Sequence, residues 1–290
     1  MGYKLKKPVL LSELASKLST QWVGFDVVIE GVAPSSNISR SEITFSKKLP
    51  YKIDGVVFIT PNQPDQESTK SNGFIISKNP RLEFIKALTI LENEIGFSTW
   101  EAPAEIDPSA KIGQNVVIEN GCFVGANSII EHNVVLHAGT RIGKNSRIRS
   151  CSSIGGDGFG FERLQDGTPL RFPHLGGVVI GDNVEIGALN SISRGTLSDT
   201  IICSNVKTDN LVHIAHNCFV DDGVLITACA ELSGGVKIGK RVWVGPNVAM
   251  MQKVVIGDDA FIGLGAVVTK NVPDKTVVAG NPAKRIRDLT

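Results

Sequence analysis

The sequence lacks the features that mark several classes of protein. Its formal net charge is only +1 at pH 7, whereas a protein that binds nucleic acid or a membrane surface usually presents a basic face. No run of about 18 consecutive apolar residues is present, as a membrane-spanning helix requires. The first residues, MGYKLKKPVLLSELASKL, have no signal-peptide core or cleavage site. We therefore expect a cytoplasmic protein with no membrane span and no nucleic-acid partner.

Cysteine pairs with metal-binding spacing are also missing. None of the five cysteines belongs to a CxxC motif, and isolated thiols of this kind usually act as small apolar residues in a reducing compartment. We expect neither disulfides nor a bound metal. Histidine and tyrosine are scarce, with five and two residues respectively, so their positions are informative.

An apolar residue recurs at every sixth position from Ile106 to Val268, and Thr208 is the exception in this series. Neither an amphipathic helix nor a simple strand has this period. A parallel β-helix does, because each six-residue unit supplies a short strand, an inward-facing side chain and a corner that suits Gly or Asn. The period breaks twice, at residues 155–179 and 193–201.

This pattern resembles the hexapeptide-repeat acyltransferases, in which three units form one 18-residue coil. The resemblance implies a left-handed β-helix, although the general rule for parallel crossovers favours the right hand. The expected fold is mainly β: a small α/β domain at 1–100, then a left-handed parallel β-helix of about eight coils at 101–290. The β-helix carries an inserted loop at 155–179 and a short tail from 269.

The first 100 residues show helix and strand signals without the six-residue period. Leu11, Leu14 and Leu18 predict a short helix that Ser12 could cap, and Asn79-Pro80 predicts the start of a helix. The segments GVAPSS, ITFSKKLPY and GVVFIT resemble the N-terminal domain of the UDP-3-O-acylglucosamine N-acyltransferases of lipid A synthesis.

In that family a Phe and a Tyr six residues apart enclose the uracil ring. Phe45 and Tyr51 keep this spacing, so the resemblance implies a site for the nucleotide base, which stacking would recognise with little regard to its edge. From the residues alone, Tyr51 is a partly buried aromatic side chain at the end of a strand.

The first break contains the motif IGGDGFGF, which resembles the loop that encloses the sugar nucleotide in the same family. An insertion that leaves a regular β-helix is a common place for a site. We therefore assign Asp157, Phe159 and Phe161 to substrate binding.

The second break leads into DNLVHIAHN. A structural histidine at the edge of the β-helix explains His216 almost as well as a catalytic one, but the family resemblance implies that His216 is the general base. His213 occupies a position where that family usually has Gln, so we expect it to position the substrate rather than to carry a proton, and we assign Asn217 to substrate binding as well. Asp209, one repeat earlier, is a candidate to orient the imidazole.

The chemistry of amide formation requires these groups. A sugar ammonium group, with a pKa of roughly 8 by analogy with an α-amino group, must lose a proton before it attacks a thioester, and histidine can accept this proton near neutral pH. The resulting oxyanion needs a fixed donor such as a backbone N–H group. Gly234 lies 18 residues after His216, one coil away, and matches the family's oxyanion position.

The C-terminal part departs from the lipid A family. Lys253 replaces a histidine that contacts the donor there, and the ending GNPAK resembles acetyltransferases that use coenzyme A. Lys284, Arg285 and Arg287 could therefore bind coenzyme A phosphates, although a basic tail is often merely solvated.

We thus predict an N-acyltransferase that moves an acyl group from a thioester, with acyl-coenzyme A favoured, to a dTDP- or UDP-linked and dideoxy amino sugar, as in the anthrose pathway. It would need no permanent cofactor and would act as a homotrimer. One alternative is the lipid A reaction with an acyl carrier protein donor. Another is a non-catalytic β-helix scaffold. Zinc-dependent chemistry would need three grouped histidines, which the five histidines do not suggest.

Overall fold

The computed structural model describes residues 3–47 and 53–289. The chain divides into two compact units: the first is Met1–Thr99 with Gly160–Pro173, and the second is Trp100–Phe159 with His174–Thr290. The outer part of the predicted loop is thus grouped with the N-terminal residues rather than with the β-helix.

The first unit is built on six strands: β1 Tyr3–Leu10, β2 Trp22–Gly24, β3 Val28–Val32, β4 Glu42–Phe45, β5 Val57–Thr60 and β6 Gly73–Ile76. They form one sheet with the order β1-β3-β4-β5-β6-β2. The pairs β1–β3 and β2–β6 are antiparallel and the others are parallel. The helices are α1 Leu11–Lys17 and α2 Pro80–Ile90, with a π turn at Leu91–Ile95 and short 3₁₀ turns at Ser35–Asn37 and Ser68–Lys70. The strands Phe161–Arg163 and Pro169–Arg171 form an antiparallel hairpin in the same unit.

One of the two predicted helix caps is confirmed. The side chain of Asn79 accepts the amide of Leu82 at 3.2 Å and begins α2. At α1, however, Leu10 occupies the cap position without a side-chain bond. Ser12 lies inside the helix, where its amide and hydroxyl donate to the carboxylate of Asp26.

The second unit is a parallel β-helix of eight coils whose three sheets are built from very short strands. The first sheet contains Glu105–Ile106, Phe123–Val124, Arg141–Ile142, Val178–Ile180, Thr200–Ile202, Phe219–Val220, Lys237–Ile238 and Val255–Ile256. The second contains Lys111–Ile112, Ile129–Ile130, Arg147–Ile148, Glu185–Ile186, Lys207–Thr208, Leu225–Ile226, Trp243–Val244, Phe261–Ile262, Thr276–Ala279 and Lys284–Asp288. The third contains Val117–Ile118, Val135–Leu136, Ser153–Gly156, Ser191–Ser193, His213–Ile214, Glu231–Leu232, Ala249–Met250 and Val267–Val268.

The six-residue series forms the core of this unit. Its members from Val124 onward are buried, whereas Ile106 and Ile112 are 42% and 41% exposed because they belong to the first coil. Thr208, the exception in the series, is buried with its hydroxyl donating to Asn190 at 2.8 Å and accepting the amide of Gly187 at 3.0 Å. A polar side chain is tolerated at this position because its hydrogen bonds are made.

Three corners connect the sheets, and we name each by the sheets that it joins. The first–second corner places Asn145, Asn183 and Asn205 in the left-handed backbone region, where the short side chain of Asn is tolerated. Both breaks in the repeat leave from the third–first corner, after the strands Ser153–Gly156 and Ser191–Ser193. No helix among the described residues is long and apolar enough to cross a membrane.

Candidate active site

Two imidazoles, a carboxylate and a glycine corner line a cavity of about 390 Å³ on three successive coils. The coil of His216 supplies His213 and Ala215, the next supplies Glu231, Ser233 and Gly234, and the third supplies Met251 and Gln252. Phe159, from the first break, completes the lining and is 88% exposed. The register explains this grouping, because His213 pairs with Glu231 on the adjacent parallel strand.

Asn217 fixes the tautomer of His216. Its Oδ1 lies 2.9 Å from Nδ1 of His216 and also accepts the amide of Thr196 at 3.2 Å, while its Nδ2 donates to the carbonyl oxygen of Ser198 at 3.2 Å. An amide N–H can only donate and a carbonyl can only accept, so these two contacts orient the Asn217 carboxamide. In the neutral ring, Nδ1 of His216 therefore carries the proton and Nε2 has the lone pair that can accept one.

The orienting contact is made by Asn217 and not by Asp209. Oδ1 of Asp209 accepts the amide of Asn210 at 2.7 Å, and no hydrogen bond joins Asp209 to His216 in the described part of the chain. The second break explains why Asn217 is available: it supplies Thr196 and Ser198, which hold the carboxamide. Apart from the position of the break, nothing in the sequence indicates this contact.

Gly234 packs directly on the His216 imidazole. A Cβ atom at this position would lie 2.7 Å from Cε1 and 2.8 Å from Nε2 of His216, closer than any side chain allows. Its amide has no acceptor among residues 3–47 and 53–289, whereas its carbonyl oxygen accepts the amide of Lys253 at 3.0 Å. The corner thus presents a free N–H group beside the histidine.

Residues of the first break also pack against His216, on the Cβ and Cδ2 side of its ring. A Cβ atom on Gly158 would lie 3.0 Å from both Cδ2 of His216 and Nε2 of His174. The rings of His174 and His216 are 5.5 Å apart and nearly perpendicular, and His174 is buried. Sequence reasoning did not single out His174, because its contact depends on the length of the break.

The acidic member of the lining was also missed. Glu231 accepts the Ser233 hydroxyl at 3.0 Å on Oε1, with Oε2 at 3.3 Å. It stands beside His213 on the outer face of the third sheet. The spacing of 18 residues between the two could have indicated this pairing, since one coil has that length.

The residues predicted to bind the donor do not gather at this cavity. Gln252 lines it, but Lys253 does not. Lys284, Arg285 and Arg287 are exposed on the last strand, which extends the second sheet and so lies across the β-helix from the third–first corner. Arg285 is engaged with Asp288, its Nε lying 3.0 Å from Oδ1.

The remaining predicted substrate residues lie in different places. Phe45 packs on Phe84 with ring centroids 5.0 Å apart, in the first unit. Tyr51 lies outside the described residues. The Phe161 ring stacks with the Arg171 guanidinium in the hairpin of the same unit, and Asp157 lies 3.9 Å from Nε of Arg194 in the second unit.

One group in the described part of the chain has the spacing of a metal site. Ligand atoms of Cys203, Asp221 and Asp222 lie within 4.8 Å of one another. Burial, followed by the charges of the two carboxylates, raises the pKa of the Cys203 thiol. A protonated thiol is a poor metal ligand, so this group gives no argument for a bound metal.

Comparisons with known proteins agree with the repeat. The family described as bacterial transferase hexapeptide (six repeats) matches residues 123–156 and 235–270. A UDP-3-O-acylglucosamine N-acyltransferase of Coxiella burnetii is 32% identical over 89% of this chain and 84% of its own length. The protein of the same name from Campylobacter lari is 32% identical over 96% of this chain and 94% of its own length.

Solved structures resemble the β-helix. The UDP-N-acetylglucosamine acyltransferase of Francisella novicida is 28% identical, with a TM-score of 0.59 over 66% of this chain and 68% of its own. The LpxA structure from Acinetobacter baumannii is 29% identical, with a TM-score of 0.56 over 65% of this chain and 73% of its own. The predicted left-handed β-helix fold is confirmed.

Proposed function

The chain belongs to the UDP-3-O-acylglucosamine N-acyltransferase family, and we propose that it transfers an acyl group from a thioester to the amino group of a UDP-linked amino sugar, with His216 as the general base. The observation that carries this proposal is that Nε2 of His216, the acceptor nitrogen of the neutral ring, and the amide of Gly234, which is free among the described residues, line one cavity.

The reaction follows from these two groups. Nε2 of His216 accepts a proton from the sugar ammonium group, and the neutral amine attacks the thioester carbonyl carbon. The carbonyl oxygen becomes an oxyanion, and the amide of Gly234 donates a hydrogen bond to it. Collapse of this intermediate breaks the carbon–sulfur bond, and His216 gives its proton to the departing thiolate while the nitrogen loses its second proton to solvent as the amide forms.

Replacement of the base tests the proposal. His216→Ala should lower kcat roughly 100-fold or more, the usual range for a general base, as followed by mass spectrometry of the N-acylated sugar nucleotide. His132→Asn is the matched control, because His132 lies outside the cavity and an Asn oxygen can still accept the Gln114 amide that His132 Nδ1 accepts at 2.9 Å. Unchanged turnover in His216→Ala would contradict the assignment.

Stacking on Phe45 is the proposed mode of binding for the nucleotide base. The contact of Phe45 with Phe84 supports this by holding the ring in place. Phe45→Ala should weaken binding of the sugar nucleotide by about 1 kcal/mol or more, measured by calorimetry, with the donor unaffected. Equal affinities for UDP- and dTDP-linked sugars would indicate that stacking alone reads the base.

The donor is an acyl thioester with a pantetheine arm, the part that coenzyme A and acyl carrier protein share. Met251 and Gln252 lie one coil beyond Gly234 and offer an apolar surface and a carboxamide for this arm. The relatives' name favours the lipid A reaction, the alternative considered above. Parallel assays with acyl-coenzyme A and acyl carrier protein decide which thioester is the substrate.

Three copies of the chain are proposed to assemble around the second–third corner. Leu189 and Leu211 stack on successive coils there, are 55% and 54% exposed, and hold positive φ angles of 57° and 61°. Large apolar residues in this conformation are strained, and a buried contact would offset that strain. Leu189→Asn with Leu211→Asn should convert a trimer to monomers in light scattering, and a monomeric unmodified protein would contradict the proposal.

A further inference from the structure

Glu231 has no part in the reaction proposed above, although its side chain lines the reaction cavity. The carboxylate accepts one hydrogen bond, from the Ser233 hydroxyl at 3.0 Å. The neighbouring His213 ring makes no hydrogen bond within the described residues. Two polar groups on adjacent strands therefore face the space that the substrate fills.

A bound substrate changes the surroundings of this carboxylate. Filling the cavity removes water, and a charged group that loses water without gaining a partner is strongly destabilised. A carboxylate has about four acceptor sites, of which the Ser233 hydroxyl occupies one. The substrate must therefore bring a hydrogen-bond donor to Glu231 or bind weakly.

The position of Glu231 identifies the part of the substrate concerned. Glu231 precedes Gly234 by three positions, a span of at most ~11 Å, and Gly234 packs on the His216 ring. Glu231 and His216 line the same cavity, so a sugar whose amine lies at Nε2 of His216 can bring a neighbouring ring position within reach of Glu231. An ester at that position has no proton to donate, and its acyl chain would meet Glu231 and His213.

We propose that Glu231 binds a free hydroxyl group adjacent to the reacting amine, so that the preferred acceptor is a UDP-linked amino sugar without an O-acyl group at that position. The inference rests on the proposed function, and it narrows the acceptor to a class that differs from the 3-O-acylated sugar in the relatives' name.

Calorimetry without a donor tests the proposal separately from catalysis. The probes are UDP-glucosamine, which has a free 3-hydroxyl, and UDP-3-O-acylglucosamine. The unmodified protein should bind the first at least roughly tenfold more tightly, and Glu231→Leu should lose this preference, since a hydrogen bond to a charged acceptor is stronger than one between neutral groups. Glu231→Gln, which keeps an acceptor oxygen, should show an intermediate preference.

Glu185→Gln is the matched control, because Glu185 has the same strand position on the second sheet, and its affinities should not change. Tighter or equal binding of the O-acylated sugar, an unchanged ratio in both Glu231 variants, or binding of neither sugar would overturn the proposal. Thermal melting of each variant separates an effect on folding from one on binding. Failure of the proposed function would be recognised by a different result, namely undiminished turnover in His216→Ala.

Discussion

The first–second and third–first corners are made from the same six-residue unit, yet the first–second corner is closed by a side-chain cap at several coils, whereas the third–first corner is open at the three coils that line the cavity. At the first–second corner a carboxylate accepts the amide of the preceding coil: Asp182 that of Lys144 at 2.9 Å, Asp222 that of Ser204 at 2.9 Å and Asp258 that of Lys240 at 2.8 Å. At the third–first corner the amides of His216, Gly234 and Gln252 donate no hydrogen bond within the described residues.

Capped amides stabilise the fold, whereas uncapped amides remain available to bind a substrate. A backbone amide is a strong donor that is nearly always paired, and each aspartate cap stabilises the first–second corner. An amide left without a partner beside a cavity can instead bind charge that develops during a reaction. The repeat thus supplies the same backbone at both corners, and the side chain on the next coil decides whether the amide is available.

The largest fall in kcat should come from a methyl group that blocks the open corner. In Gly234→Ala the new methyl group would meet the His216 ring at 2.7 Å, so the ring or the corner must move. We expect kcat to fall roughly 100- to 1,000-fold, as for the loss of an oxyanion donor. Gly265→Asn is the control, because a Cβ there meets nothing within 4 Å and the φ of 64° suits Asn. Near-normal kcat in Gly234→Ala would remove the oxyanion assignment.

Capping the Gly234 amide with a carboxylate should lower kcat in a similar way but by a smaller factor. Gln252 stands one coil after Gly234, as Asp258 stands one coil after Lys240, so Gln252→Asp should place a carboxylate on the Gly234 amide. We expect kcat to fall roughly 100-fold while the melting temperature rises, because a free donor gains a charged acceptor. Gln252→Ala, which adds no acceptor, should retain most of kcat. A loss of activity as large in the alanine variant would show that the cap is not the cause.

The sequence predicted the β-helix well because its core repeats. Every apolar residue of the series lies in the same environment, and the 18-residue spacing alone predicts that Gly234 lies next to His216. Asn217, His174 and Glu231 were harder to interpret. The first two contacts depend on the breaks, which follow no period, and Glu231 occupies an outward position where most residue types are tolerated. Asp209 makes no such contact with His216 among the described residues, because it follows a strand of the second sheet, whereas His216 follows a strand of the third sheet.

The orientation of the base provides a third and smaller test of the open corner. Asn217→Ala removes the acceptor for the His216 Nδ1 proton, and we expect kcat to fall roughly 10- to 100-fold, the range seen when an orienting partner is lost. Asn217→Asp should keep an acceptor but add a negative charge, which favours imidazolium and raises its pKa. Because the base must be neutral, the acid limb of the pH–rate profile should move to higher pH. An unshifted profile would show that Asn217 has only a structural role.

Removing a cap from the closed corner is the reverse experiment, and it should have the smallest effect of the four. Asp258→Ala removes the cap on the Lys240 amide and leaves a donor without its partner. The loss of one such hydrogen bond should lower the free energy of unfolding by about 1 kcal/mol, which shifts the melting temperature by about 2–4 °C in a unit of this size. Asp258→Asn should recover most of this loss, because the amide of Ala188 is already capped by an asparagine, Asn210, at 2.8 Å. Turnover should not change in either variant, since the cap lies on another corner from His216. A fall in kcat without a matching fall in stability would mean that the two corners are coupled, and that their separate roles do not hold.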